Sequence, residues 1–386
     1  MLTRSPQLNL SNWRKPPFNR WAFHHVREII PSQSIDRGEK ASELPGLIDA
    51  GISQMTFAGP DHSDWSLAQW LSASSTDALL VAQGGNLVHE WYVDEGVETN
   101  PHIVFSVSKS ITATLAGVLV EQGLIDPGVA LTDIIPQLTG SGFSGASLQQ
   151  LLDMVVDIDF EEDYEATSGK FVEYRTATAW HPCGVDEIDV SLHDFLCLLK
   201  PGKGEHGRVF DYRSPNSDLL GWVLEKAAGK NLASLLSTCL WQPMGAEADA
   251  YITVDRKGAA RSAGGICVRP RDLLRFGEMM RNRGFANGRQ VVPESWVADC
   301  SEGGDQAVWL RSPSSEKFPG GKYRNQWYQS GNRHRAMLAI GIHSQWIYID
   351  PIAEVTIVKL SAQADPLNLP LGSVNLQVFE DICNAL

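Results

Sequence analysis

A serine followed three residues later by a lysine occurs twice in this sequence, and one copy stands where it could do chemistry. Phe105-Ser106-Val107-Ser108-Lys109-Ser110 opens residues 106–122, in which Ile111, Leu115, Val118 and Leu119 recur at helical spacing before Gly123 and Pro127 end the run. That spacing puts Ser106 and Lys109 on one face of a helix, within reach of each other. A helix start also offers free N–H groups and positive potential. The amides can hold an oxyanion, and the potential opposes protonation of the lysine. A lysine acts as a base near neutral pH only when its pKa is pulled down from about 10.4. The other copy, Ser314-Ser315-Glu316-Lys317, lies in a polar loop beside prolines and is read as fortuitous. Alone the pattern is weak, because a helix-capping serine with a surface lysine one turn on leaves the same letters.

A second element adds weight. Asp211-Tyr212-Arg213-Ser214-Pro215-Asn216 follows a strand-like run and opens a helix, with Ser as cap and Pro in the first turn. Serine enzymes of the Ser-x-x-Lys type carry a proton-transfer tyrosine at such a helix entrance. Other motifs fail. Gly202, Gly204 and Gly207 match a dinucleotide-binding glycine pattern, but a helical stretch precedes them and a strand-like run follows, the reverse of what a pyrophosphate site needs. No phosphate-binding lysine loop, zinc-protease helix or Gly-x-Ser-x-Gly elbow is present. The histidines are scattered, and the His24-His25 pair reads as partly buried surface rather than a metal site.

The elements that must position these residues are legible in outline. Residues 78–92 are strand-like and break at Gly84-Gly85-Asn86, a hairpin signal. Ser147 with Gln150 forms a capping box, and a further helix follows Pro270. Residues 336–342, 346–350 and 354–360 read as strands joined by short turns, with a terminal helix from about 373. Residues 13–31 look like an ordered leader that packs by its aromatics. Strands at both ends around a helix-rich middle predict an α+β fold. An antiparallel sheet would be flanked by helices, with residues 1–145 and 265–386 forming the α/β part and 146–264 an inserted, mainly helical subdomain of one catalytic module.

Composition narrows the partners. The chain has 386 residues, 12 Trp and 13 Phe, ample for a core, and a formal net charge of −14. That charge would repel phosphates and anionic lipids, so neither nucleic acid nor membrane is an expected partner. The six cysteines form no Cys-x-x-Cys pair and read as free thiols, with no metal site or cofactor implied. No run approaches the ~18 apolar residues of a membrane span, and residues 1–7 lack a secretory core, so a cytoplasmic location is expected.

The Ser106-Val107-Ser108-Lys109 and Tyr212-Arg213-Ser214 elements resemble the class C β-lactamase, penicillin-binding and esterase superfamily. A closer likeness is to the 6-aminohexanoate-dimer (nylon-oligomer) hydrolases. It includes Pro16-Pro17-Phe18-Asn19-Arg20-Trp21-Ala22-Phe23, Glu162-Asp163-Tyr164, Ser214-Pro215-Asn216-Ser217-Asp218 and Ile340-Gly341-Ile342-His343-Ser344-Gln345. The resemblance implies a serine hydrolase of small esters or linear amides. Ser106 would be acylated, Lys109 would take its proton, and Tyr212 would pass a proton to the leaving group. The backbone N–H groups of Ser106 and Ile342 would hold the oxyanion. Tyr164 would line the cleft, and His343 would replace the lysine that β-lactamases carry at the third motif. Tyr328 is expected near the cleft mouth and Arg175 beside the substrate, where it would repel a substrate ammonium. A homodimer is allowed for. Two other functions stay open here: a β-lactamase or D-alanyl-D-alanine peptidase, disfavoured by the missing Lys-Thr-Gly, and a non-catalytic binding module, disfavoured because Ser106, Lys109 and Tyr212 are all present.

Overall fold

The computed structural model describes residues 3–46, 51–60, 63–184 and 190–386. Its centre is a seven-stranded, wholly antiparallel sheet. Across it run Lys322–Arg324, Trp327–Gln329, Met337–Gly341, Gln345–Asp350, Val355–Ser361, Thr76–Gln83 and Asn86–Tyr92. The last two form the expected hairpin, with Gly84 and Gly85 at φ +55° and +88°. Side chains alternate between two cores, as a strand period of two requires. Ala78, Leu80, Ala82, Ile347 and Val358 face the core with the Val107–Glu121 and Pro270–Arg281 helices. Leu79, Val81, Tyr348 and Ile357 face the other core, built on the terminal helix. Both faces are covered, so residues 78–82, 337–340 and 346–349 of the sheet are apolar at every position.

The C-terminal strands lie within a residue or two of their expected positions, but the terminal helix spans Leu369–Ala385, four residues earlier than its apolar pattern suggests. The Asn368 side chain accepts from Leu371 N at 3.0 Å, and Pro370 fits the first turn. The Lys322–Arg324 and Trp327–Gln329 hairpin was not foreseen. Its two-residue turn, Asn325-Gln326, takes φ +49° and +58° without glycine. Tertiary bonds hold it: Gln326 N donates to Leu152 O, Ser110 Oγ to Gln326 O and Ser217 Oγ to Gln326 Oε1.

Between the sheet's two sequence halves lie the helices Leu148–Leu152, Lys170–Ala177, Leu192–Leu198, Ser214–Ala228, Leu232–Leu236 and Gln242–Met244. The Ser147/Gln150 capping box is formed. The helical run stops at Met244 rather than 264, because Ala250–Thr253 joins a second sheet ordered Ser32–Ile35, Ala250–Thr253, Ile266–Val268, His102–Ile103. That sheet's last strand leads directly into Ser106. The leader packs through Trp13, Trp21 and Phe23, all buried. Gly202, Gly204 and Gly207 form a loop wrapped on Asp157, whose carboxylate accepts from Gly204 N at 2.5 Å. All six cysteines are free thiols. No helix among the described residues is long and apolar enough to cross a membrane.

Candidate active site

Ser106 is the residue between the end of the small sheet and the Val107–Glu121 helix. The chain turns there through Phe105, whose φ of +44° is a conformation that non-glycine residues rarely adopt. An aromatic cage holds it. The Phe105 ring lies 4.9 Å from Phe23, 6.3 Å from Trp13, 6.0 Å from Trp180 and 5.2 Å from His343, centroid to centroid. Phe105 is fully buried while Ser106 keeps solvent contact, so the cage anchors the turn and presents the hydroxyl.

Lys109, one turn on, is 1% exposed. Its Nζ lies 3.0 Å from Ser106 Oγ, 3.0 Å from Ser214 Oγ and 2.6 Å from Ala263 O. The Ser214 hydroxyl donates to Glu162 Oε1 at 2.6 Å, so it must accept from the lysine. A neutral amine has two N–H groups and one lone pair. Ala263 O and Ser214 Oγ take the two donors, which leaves the lone pair for the Ser106 hydroxyl. Burial lowers the Lys109 pKa to about 7, against the opposing pull of Glu162 and with help from Arg261. The Ala263 carbonyl is itself fixed: Ala263 N donates to Asp218 Oδ1 at 2.8 Å, and Asp218 is clamped by Arg261 and Tyr174.

Tyr212 lies beside Ser106, and its ring lies under Lys109 Nζ at 5.0 Å. Burial, then neighbouring Tyr328 and Glu162, hold its phenol well above the usual pKa, so it stays protonated. Tyr328 stacks beside it, ring centroids 6.4 Å apart. Tyr164 is half-buried and donates to Glu162 Oε1 at 2.5 Å. Glu162 thereby collects Tyr164 OH, Ser214 OH and Ser214 N, the last at 2.5 Å. Its position beside Tyr164 was visible in the sequence, but its bond to a serine 52 residues away was not.

The strand Met337–Gly341 approaches Ser106 from the opposite side. An added Cβ on Gly341 would lie 2.6 Å from Val104 O, so only glycine lets this strand end so close to the nucleophile's loop. Ile342 follows. Among the described residues, neither the Ser106 N–H nor the Ile342 N–H is given to a protein acceptor. The two amides can therefore serve an oxyanion.

Two expected substrate contacts need correction or detail. His343 is 3% exposed and packs on Phe23 and Phe105. Its Nδ1 donates to Gln363 O at 2.7 Å, and burial lowers its pKa to about 3, so it is a neutral support beneath the turn rather than a cleft residue. Arg175 is 9% exposed, and its Nη2 donates to Ala166 O at 2.5 Å. It neither points to solvent nor forms an ion pair with Glu161, Glu162 or Asp163. His24, taken as partly buried surface, is in fact buried against Asp77 and His102, with ligand-type atoms within 4.8 Å of one another. Arg20 already reaches the Asp77 carboxylate at 2.9 Å, so a cation is present in that cluster. The second Ser-x-x-Lys copy forms a 3-10 turn at Pro313–Glu316, with Lys317 exposed.

Comparison with known proteins agrees with this geometry. A family model described as Beta-lactamase matches residues 68–371. A 6-aminohexanoate-dimer hydrolase of Paenarthrobacter ureafaciens is 34% identical over 377 residues, 98% of this chain and 94% of that protein. A solved structure from Bacillus anthracis, whose name proposes a 6-aminohexanoate-dimer hydrolase, superposes with a TM-score of 0.90 at 26% identity, covering 99% of this chain and 98% of that one. A family VIII carboxylesterase shares the fold at a TM-score of 0.61 and 16% identity, over 83% of this chain and 95% of that one.

Proposed function

This chain belongs to the beta-lactamase family, and from that premise we propose that it hydrolyses small carboxylic esters, and linear amides more slowly, through an acyl-enzyme on Ser106. The observation that carries the proposal is the set of partners around Lys109, which leaves a neutral amine's lone pair only Ser106 to engage. Ser106 Oγ attacks the substrate carbonyl carbon while its proton passes to Lys109. The oxyanion sits on the Ser106 and Ile342 amides. As the bond to the leaving oxygen or nitrogen breaks, Tyr212 delivers a proton to it and is reprotonated from Lys109. Water then attacks the acyl carbon and gives its proton to Lys109, which passes it to Ser106 Oγ as the acyl–oxygen bond breaks and the carboxylic acid leaves.

The ester preference rests on Arg175. The 6-aminohexanoate dimer, the substrate named for the Paenarthrobacter relative, carries a terminal ammonium as well as a carboxylate, and the guanidinium of Arg175, in the segment that follows Tyr164, would repel the ammonium end. A panel of p-nitrophenyl butyrate, nitrocefin and the 6-aminohexanoate dimer tests the proposal, together with intact-mass and peptide mapping after a phosphonate ester. Ester turnover with the adduct on Ser106 is expected. Labelling at Ser314, or cleavage of nitrocefin alone, would refute it.

A further inference from the structure

Ser344 and Lys359 form a second serine–lysine pair, 3.1 Å apart, that the hydrolase mechanism leaves unused. Ser344 ends the turn between the Met337–Gly341 and Gln345–Asp350 strands, at φ +71°. Register sets Lys359 opposite Trp346, on the sheet face that packs on the terminal helix; the helix carrying Lys109 covers the other face. Lys359 Nζ also reaches Ser361 Oγ at 2.6 Å and stands 5.6 Å from the Trp70 ring centroid. Among the described residues Lys359 makes no ion pair. Asp77, the acid whose charge it feels, is engaged by Arg20, His24 and His102.

Counting protons fixes how the pair is bonded. The Ser344 hydroxyl has one proton to give and two lone pairs to fill. Trp346 Nε1, which can only donate, lies 3.2 Å from Ser344 Oγ. Asn375 Nδ2 lies 3.0 Å from it, and the orientation of that amide is set because its Oδ1 accepts from Trp70 Nε1 at 3.0 Å. Both lone pairs are thereby taken, and the hydroxyl's own proton is left with Lys359 Nζ. It can point there only when the amine is neutral. Burial favours that form and lowers the Lys359 pKa to about 7, against the pull of Asp77. The relation matches that of Lys109 to Ser106: a neutral buried amine accepts the proton of a serine. Two N–H donors aimed at the serine oxygen also favour its loss of that proton.

Ser344, Trp346 and Asn375 line a cavity of about 330 Å³, whose apolar walls include Phe318, Leu369 and Leu376. Neither Ser106 nor Lys109, Tyr164 or Tyr212 lines it. We propose that Ser344 is a second covalent site of this protein, taking a short apolar acyl or phosphonyl group from an activated ester with Lys359 as its base. The bond from Ser344 Oγ to the carbonyl carbon or phosphorus forms as the bond to the leaving aryl oxygen breaks, and the Ser344 proton passes to Lys359. The apolar walls hold the alkyl chain. The site goes beyond the hydrolase proposal and does not depend on it.

The test uses full-length protein carrying Ser106→Ala, which removes the first nucleophile and leaves Ser344, Lys359 and the cavity unaltered. It is incubated with the p-nitrophenyl ester of a short alkylphosphonate, whose adduct does not turn over, and followed by intact mass and peptide mapping. About one equivalent on Ser344 is expected, and adding Lys359→Met should slow its appearance about tenfold or more. No adduct, an adduct on the neighbouring Ser373 in place of Ser344, or a rate unchanged by Lys359→Met overturns the proposal. Labelling of the unsubstituted protein separates the two readings: absence of an adduct on Ser106 would defeat the hydrolase proposal, while the Ser344 result decides the second site alone.

Discussion

Glu162→Gln should move the pH dependence of hydrolysis downward. Lys109 must be neutral to take the Ser106 proton, so kcat/KM rises with pH up to about 7, its lowered pKa, and falls about tenfold per unit below that. Burial sets this value, and the Glu162 carboxylate opposes it by favouring the ammonium form. The two groups are joined through Ser214 Oγ by bonds of 3.0 and 2.6 Å, so they lie no more than about 5.6 Å apart. At an effective dielectric of about 20 to 40, that separation is worth roughly 1.5–3 kcal/mol, or about one to two pKa units. The sign is fixed: removing the negative charge favours the neutral amine, so the acidic limb should move to between about pH 5 and 6. Glutamine has one acceptor oxygen for three donors, Tyr164 OH, Ser214 OH and Ser214 N. An orphaned donor costs about 1–3 kcal/mol, so the plateau rate should fall roughly 10- to 100-fold while the limb moves. The assay is kcat/KM for p-nitrophenyl butyrate from pH 4.5 to 9. A limb that stays near 7 or moves upward would refute the electrostatic coupling, because a merely structural loss lowers the plateau without shifting the limb.

Ser106→Ala should abolish turnover, by at least ~10³-fold, with little change in melting temperature, because the Ser106 side chain makes no capping bond to the helix it precedes. Lys109→Ala should both lower the rate and flatten the acidic limb; an unchanged profile would make Lys109 a bystander. Gly341→Ala should drive a Cβ to within 2.6 Å of Val104 O and shift the oxyanion strand, lowering kcat by about 10²-fold, and a normal kcat would disprove the close approach. Arg175→Asp should raise 6-aminohexanoate-dimer activity relative to p-nitrophenyl butyrate turnover, by removing a positive charge that repels the substrate ammonium. An unchanged ratio of the two kcat/KM values would contradict a role for Arg175.

What the sequence reveals divides along a physical line. Ser106 and Lys109 were legible because their relation is local: three residues on a helix whose apolar period and termination are written in the same short stretch. The strand hairpin at Thr76–Tyr92 and the Ser147 capping box were legible for the same reason. What escaped was decided between distant segments. Gln326 adopts a left-handed turn because Leu152, Ser110 and Ser217 bind it. His24 reads as partly buried surface and His343 as a substrate contact, yet both are buried by partners from other elements: Asp77 and His102 in one case, Phe23 and Phe105 in the other.

The same line runs through the active site. The nucleophile and its base come from one helix, and Tyr212 announces itself at the start of another. By contrast, Glu162 raises the proton affinity of a lysine 53 positions earlier against the effect of burial, while the Ala263 carbonyl holds that lysine from 154 residues away. Trp13, in the leader, packs against Phe105 and Trp180 and so braces the turn that presents Ser106. Groups that make and break bonds must sit within a few ångströms in a fixed order, and a short motif can encode that. Groups that tune charge act through space over longer distances and can arrive from any segment. A chain can therefore declare its reaction in a dozen residues and still leave its substrate to be read from the fold.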